Sequence, residues 1–224
     1  MLLEAIRRLE AGAAPHGPAL VHCDLRLIDA AGRQVSGSFW KYQRLEPSNS
    51  TRLAPLLVQN VVTGCASLFN RALAERASPI PEGVVMHDWW LALCCAAFGR
   101  TGWTREPLVD YRQHGRNQVG AERYGAGPAL RAIARRVAGD RLAGDARAAE
   151  QRRAAAGASH LSQAAAFLAR YGEDLPGTSR EMLRDFLCLP RVGLGRRVAL
   201  SVRHGFWRTG WLRNVLPIVS TGTE

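Results

Sequence analysis

Val84-Val85-Met86-His87-Asp88-Trp89-Trp90-Leu91-Ala92-Leu93-Cys94-Cys95-Ala96-Ala97-Phe98-Gly99 carries no charge between Asp88 and the following Arg100. A helix that is apolar on every side is buried on most sides, so residues 86–98 are predicted to form a helix enclosed by other elements. The run is too short to cross a membrane, and nowhere else do about 18 uncharged apolar residues follow one another. Something must therefore cover this helix, and the flanking sequence supplies strands. Ala19-Leu20-Val21-His22-Cys23 is a short apolar run ending at Asp24. Leu25 to Ile28 and the turn Asp29-Ala30-Ala31-Gly32 follow it, which reads as a buried strand and then a shorter one. After the helix, Gly102–Glu106 and Leu108–Arg112 read as a strand pair broken at Pro107.

Other segments fill the same pattern. Leu2, Leu3, Ile6 and Leu9 stand at helical spacing within Met1–Ala11. Residues 33–52, with Pro47, Ser48, Asn49 and Ser50, read as a loop. Leu53–Val62 is predicted as a helix, Thr63–Asn70 as a strand and Arg71–Ala77 as a further helix, before a loop framed by Pro79 and Pro81. Strands alternating with helices make an α/β domain. Beyond Gly125 the character changes. Residues 128–151 are rich in Ala and Arg and helical, Ala158–Tyr171 and Ser179–Leu189 continue as helices, and Arg196–Leu216 is basic. The domain edge is placed near residue 125, giving units 1–125 and 126–224.

Composition narrows the function. At 224 residues and 47% hydrophobic content the chain has ample material for a core. The five cysteines are odd in number and form no CxxC pair. That favours buried thiols in a reducing, cytoplasmic setting over a disulfide frame or a zinc site. Met1–Gly12 reads as an amphipathic helix rather than a signal segment. The net charge of +11 is almost wholly arginine, Lys41 being the sole lysine. It is also uneven: residues 1–127 carry a net of +3 and residues 128–224 a net of +8. Genomic base composition explains an arginine bias without any ligand, while an uneven basic half suits an anionic partner.

Three clusters carry chemistry: Ala19–Gly32; Leu56–Leu73 followed by Val84–Gly99; and Glu106–Ala121. Within them stand N-x-x-T-G (Asn60–Gly64), H-D-W-W (His87–Trp90) and Y-R-x-H-G-x-N (Tyr111–Asn117). In combination, order and spacing these resemble the rhamnosyltransferase-like branch of the family 2 glycosyltransferases, over residues 1–125 closely and over the basic tail loosely. The resemblance implies an incomplete GT-A-like (Rossmann-like) domain followed by a mainly helical, basic C-terminal region. It also implies inverting transfer of a hexose or a deoxyhexose such as rhamnose. The donor would be a nucleotide sugar and the acceptor a cell-surface polysaccharide or lipid-linked glycan.

Inversion needs one general base on the acceptor hydroxyl while the nucleotide leaves from the opposite face. By residue type alone Asp88 reads first as a helix cap; the resemblance puts the base there instead. In such a position desolvation favours the protonated carboxyl and helix amides favour the anion. His87 either touches the acceptor or merely flanks Asp88. Trp89 and Trp90 either stack on a sugar face or pack in the core. Thr63 and Gly64 either allow close backbone approach to a substrate or form a plain turn. His114, in a glycine-flanked loop, is by resemblance a ligand for a divalent metal (Mg²⁺ or Mn²⁺) or a contact to the diphosphate, and otherwise an ordinary surface histidine. Arg112, Arg116 and Asn117 either neutralise a leaving diphosphate or are solvated loop residues. Asp24 and Asp29 are read as turn and supporting residues.

One departure matters. The aspartate-rich motif that holds the metal and diphosphate in this branch, of the form S-D-Q-D-D-x-W, has no counterpart before Ala19. The expectation is therefore an N-terminally truncated enzyme lacking the donor half, or an inactive remnant of one. In the tail, Arg196, Arg197, Arg203, Arg208 and Arg213 alternate with Phe206, Trp207 and Trp211. They either rest peripherally on the anionic inner face of a bacterial membrane or form a solvated helix. An arginine-rich nucleic-acid binder is the remaining alternative; no nucleic-acid-binding signature is present and no specific nucleic acid is expected.

Overall fold

The computed structural model describes residues 1–12, 17–113 and 160–209. It is a mixed α/β arrangement around a four-stranded sheet. The elements in chain order are α1 (Leu2–Glu10), β1 (Ala19–Ile28), β2 (Gln34–Ser36), α2 (Phe39–Gln43), α3 (Leu53–Val58), β3 (Ser67–Phe69), α4 (Arg71–Ala77), α5 (His87–Phe98) and β4 (Arg100–Arg112). After the segment that is not described come α6 (residues 160–171), α7 (Gly177–Cys188) and α8 (Leu194–His204).

The two expected strands at 19–28 are one. β1 runs unbroken through Asp24 because that buried carboxylate is supplied with donors. The N–H groups of Leu25 and Trp40 reach Oδ1 at 2.8 and 3.0 Å, and the Ser38 hydroxyl donates to Oδ2. β4 is likewise one strand, parallel to β1 along its whole length. Pro107 does not break it. The register slips on both sides of the Asp24–Pro107 pair, so a bulge takes up the residue that has no N–H to give. β3 and β2 pair antiparallel with β1, at Leu20–His22 and Leu27–Ile28 respectively. Since β4 occupies one edge of β1, the two short strands share the other.

Residues 33–52, expected as a loop, hold β2, α2 and a 3-10 turn at Pro47–Thr51. The Ser38 hydroxyl caps α2 by accepting from the Lys41 N–H. α3 stops at Val58, four residues short of the expected end, because Asn60 turns the chain: its side chain accepts from the Val62 N–H at 3.0 Å and donates to the Val62 carbonyl at 2.8 Å. The strand expected at 63–70 is a 3-10 turn, Gly64–Ala66, followed by the three residues of β3.

α5 matches its expected bounds to within a residue, and every position from Trp89 to Cys95 is buried. α3, α4, α6 and α7 enclose it together with Leu20 of β1. The expected edge near residue 125 lies outside the described residues, but the helices beyond it, through Phe167, Tyr171, Leu183 and Phe186, belong to the same core as α5. On the opposite face of β1, Ala19 and Val21 pack against Ile6 of α1. Gly99 joins α5 to β4 where a Cβ would lie 2.0 Å from the Pro18 carbonyl oxygen, so no side chain fits there.

Of the five thiols, Cys23, Cys94 and Cys95 are buried as expected, whereas Cys65 and Cys188 are exposed. Burial pushes Cys94 up to about 12 and Cys95 to about 11, so both are inert apolar fillers. Among the described residues no helix is long and apolar enough to cross a membrane.

Candidate active site

The site forms where the turn after α3 meets the start of α5. Asp88 is the second residue of that helix, not its cap; Met86 holds the capping position and makes no side-chain cap bond. The half-buried Asp88 carboxylate bridges the two segments. Its Oδ2 accepts from the Gly64 N–H at 2.9 Å; its Oδ1 accepts from the Trp89 N–H at 2.7 Å and from the Asn60 side-chain amide at 3.3 Å. Each carboxylate oxygen offers two lone-pair positions. Among the described residues Oδ1 fills both, and Oδ2 fills one. A carboxylate held this way is an oriented anion.

Gly64 lets the turn approach His87 and Asp88 closely. A Cβ there would lie 3.1 Å from His87 Nε2, 3.4 Å from Asp88 Cβ and 3.5 Å from Asp88 Oδ2. The structure thus brings together Thr63, Gly64, His87 and Asp88, which the sequence had named, with His87 exposed beside the carboxylate. It adds Asn60 and Cys65. Asn60 is the first residue of the N-x-x-T-G motif, but only its three hydrogen bonds, two with Val62 and one with Asp88, show its use. The exposed Cys65 thiol is raised by burial of its surroundings and by the nearby Asp88 charge, offset by a backbone hydrogen bond.

The tryptophans belong elsewhere. Trp89 is 4% exposed and Trp90 is fully buried. Their indole N–H groups donate to the carbonyls of Leu56 and Ala77, at 2.6 and 3.0 Å. Trp89 meets the edge of His160 at 4.9 Å, and Trp90 packs on Phe167 and Tyr171. Neither offers a face to a sugar, which corrects the acceptor-stacking reading in favour of core packing.

No family model, curated protein or solved structure matches this chain.

The phosphate-side candidates are mostly out of view: His114, Arg116 and Asn117 lie outside the described residues. Arg112 is described, and its guanidinium donates to the carbonyls of Asp29 and Ala30, closing the turn after β1. Asp29 holds that turn as expected, accepting from the N–H groups of Ala31 and Arg33 and from the Arg33 side chain. Asp24 is a strand residue rather than a strand end. Among the described residues no three His, Cys, Asp or Glu side chains converge. The Asp88 carboxylate itself takes its three hydrogen bonds from donors, the Gly64 and Trp89 N–H groups and the Asn60 amide. His114, the residue expected to hold a divalent metal, lies outside the described residues, and no step below passes through a metal.

The basic tail is partly spent on the fold. Arg197 is buried and donates to the carbonyls of Leu189 and Val192; Arg203 pairs with Glu181 at 3.0 Å; Arg208 donates to the Val58 carbonyl at 2.9 Å. Phe206 is buried against Phe186. Arg213 and Trp211 lie outside the described residues.

Proposed function

We propose that this chain carries the acceptor-side half of an inverting, GT-A-type glycosyl-transfer site in which Asp88 is the general base. The observation that carries the proposal is that, among the described residues, Asp88 Oδ2 accepts a single hydrogen bond, from the Gly64 N–H at 2.9 Å, while Oδ1 accepts two. The sugar acceptor's hydroxyl would lie against Oδ2. As its oxygen bonds to the anomeric carbon of the donor, its proton passes to Oδ2. The bond from that carbon to the nucleotide's phosphate breaks on the opposite face, its electron pair leaving with the diphosphate. Gly64, Trp89 and Asn60 hold the carboxylate in place throughout, so no reorientation is needed at the moment of transfer. The α/β layout around β1 supports the reading at the level of fold class, and the N-x-x-T-G and H-D-W-W motifs support it because they meet in space.

The reading as an arginine-rich binder of nucleic acid or anionic surfaces is weakened by the internal engagement of Arg197, Arg203 and Arg208.

The test is transfer of hexose or deoxyhexose from nucleotide sugars to a glycan acceptor. It compares the chain, an upstream-extended form, and the Asp88→Asn variant of whichever form is active. Loss of a general base costs about 10²–10⁴ in rate. An unchanged rate in Asp88→Asn refutes the assignment, and absence of transfer by every form leaves the inactive-remnant reading in its place.

A further inference from the structure

α8 faces the opposite way from a helix that only closes the fold. A surface helix turns its apolar stripe to the core and its polar side to water. The residues that α8 turns inward are Arg197, Leu200 and Ser201, with the partly buried His204, so three of the four are polar. Arg197 donates to the carbonyls of Leu189 and Val192, and His204 meets the Asp185 carboxylate at 2.8 Å. Leu194, Val198 and Val202, each four residues from the next and so on one side of the helix, are 54%, 38% and 64% exposed. The exposed Ala199 widens that stripe. Among the described residues no element covers it.

The charges around the stripe are of one sign. Residues 189–209 hold five arginines and neither Asp nor Glu. Arg197, Arg203 and Arg208 are engaged within the fold, and the two acidic side chains of α7, Glu181 and Asp185, are taken by Arg203 and His204. Arg191, in the turn before α8, and Arg196, which borders the outward face beyond Ala199, are exposed. Neither makes an ion pair or a hydrogen bond among the described residues. A second copy of the chain would bring these arginines against themselves across a two-fold interface. A nucleic acid would leave the aliphatic stripe with nothing apolar to meet. A bilayer with anionic headgroups matches both features, since the stripe enters the acyl boundary and the arginines reach the phosphates.

We infer that α8 is a docking face for an anionic phospholipid bilayer. Leu194, Val198 and Val202 are its inserted side chains, and Arg191 and Arg196 its headgroup contacts. The inference is independent of the glycosyl-transfer proposal, since it uses none of the residues around Asp88.

The experiment measures co-sedimentation of the full chain with phosphatidylcholine vesicles, with and without phosphatidylglycerol, at constant ionic strength. Sedimentation velocity of the lipid-free chain accompanies it. The variants are Val198→Ser/Val202→Ser and Arg191→Gln/Arg196→Gln, with Val35→Ser/Leu108→Ser as a matched loss of two exposed apolar side chains from the sheet. The unaltered chain should bind the anionic vesicles saturably. Each α8 double variant should bind them roughly tenfold or more weakly, and the sheet variant as the unaltered chain does. The altered side chains are exposed, so Tm should stay level and a lost affinity reports the face rather than the folding. The inference is overturned if the unaltered chain does not bind the anionic vesicles or binds neutral ones as tightly. It is equally overturned if either α8 variant binds as the unaltered chain does, or if the sheet variant loses as much. A lipid-free dimer that Val198→Ser/Val202→Ser dissociates also overturns it, giving the stripe to a second copy.

Discussion

Lowering the pH from 7.5 to 5.0 should destabilise this protein through His22, and the size of the effect can be worked out from its surroundings. The His22 ring is fully buried. The Ser50 hydroxyl donates to the Pro47 carbonyl at 2.7 Å, so at 3.0 Å from His22 Nε2 its oxygen must accept. That places the imidazole proton on Nε2 and leaves Nδ1 as a bare acceptor, with no partner among the described residues and the Trp40 ring 5.3 Å away, centre to centre. A second proton would sit on Nδ1 with nothing to receive it. Burial accordingly lowers His22 to about 4. An unfolded histidine titrates near 6.5, so between about 4 and 6.5 the unfolded chain binds more protons than the folded one, and stability falls as pH falls through that window. At pH 5.0 the loss is about 2 kcal/mol, a large share of the roughly 5–15 kcal/mol typical of a domain. His160, also lowered to about 4 by burial and by the neighbouring Arg208, acts in the same direction. Urea unfolding followed by tryptophan fluorescence, at both pH values, measures the total. His22→Gln, which keeps a donor for Ser50, isolates the one residue: the unaltered chain should lose about 2 kcal/mol more than the variant. Equal losses would refute both the tautomer and the burial argument.

Gly64→Ala should change the melting temperature little, because the nearest atom its Cβ meets, at 3.1 Å, belongs to the exposed His87 ring, which can shift, yet it sets a methyl group 3.5 Å from Asp88 Oδ2; thermal denaturation and a transfer or acceptor-binding assay separate the two effects. Trp90→Ala should cost about 3–5 kcal/mol, the usual figure for emptying a large aromatic from a core, and chemical denaturation would show it; an acceptor-stacking Trp90 would instead change affinity alone. Asn60→Ala removes one contact to Asp88 and both to Val62, so it should cost about 1–2 kcal/mol and lower kcat by more than that stability loss explains, as steady-state kinetics on the folded fraction would reveal.

What could be read from the sequence was whatever depended on local pattern. The α5 run from Trp89 to Cys95 announced its burial because no polar residue interrupts it. The places where expectation failed were decided by partners distant in sequence. Asp24 looked like a strand end because a lone carboxylate rarely sits inside a buried strand; Ser38 and Trp40 supply its donors, and no periodicity in residues 19–28 encodes them. Pro107 looked like a break because the bulge that absorbs it belongs to the β1–β4 pair, not to the segment. Residues 33–52 looked unstructured because α2 and the 3-10 turn are each five residues long, too short to show a period. At the candidate site the motifs named the right neighbourhood, but the link from Gly64 to Asp88 spans 24 residues and exists only in three dimensions.

The hydrogen bonds around Asp88 bear on both readings of that residue, and they do not divide cleanly into structure or chemistry. An aspartate serving only the helix start would spend its oxygens on the helix's own free amides. Asp88 spends one bond there, on Trp89, and two on the preceding turn, through Gly64 and Asn60. Those two tie the α3–β3 connection to α5 and fix the direction of Oδ2. A general base needs this fixing, since a carboxylate free to rotate would lose much of its advantage over solvent. The bonds that make Asp88 look structural are therefore the ones its chemistry would require. Among the described residues Oδ2 accepts one hydrogen bond only, and it is there that the proposed base would take up the acceptor's proton.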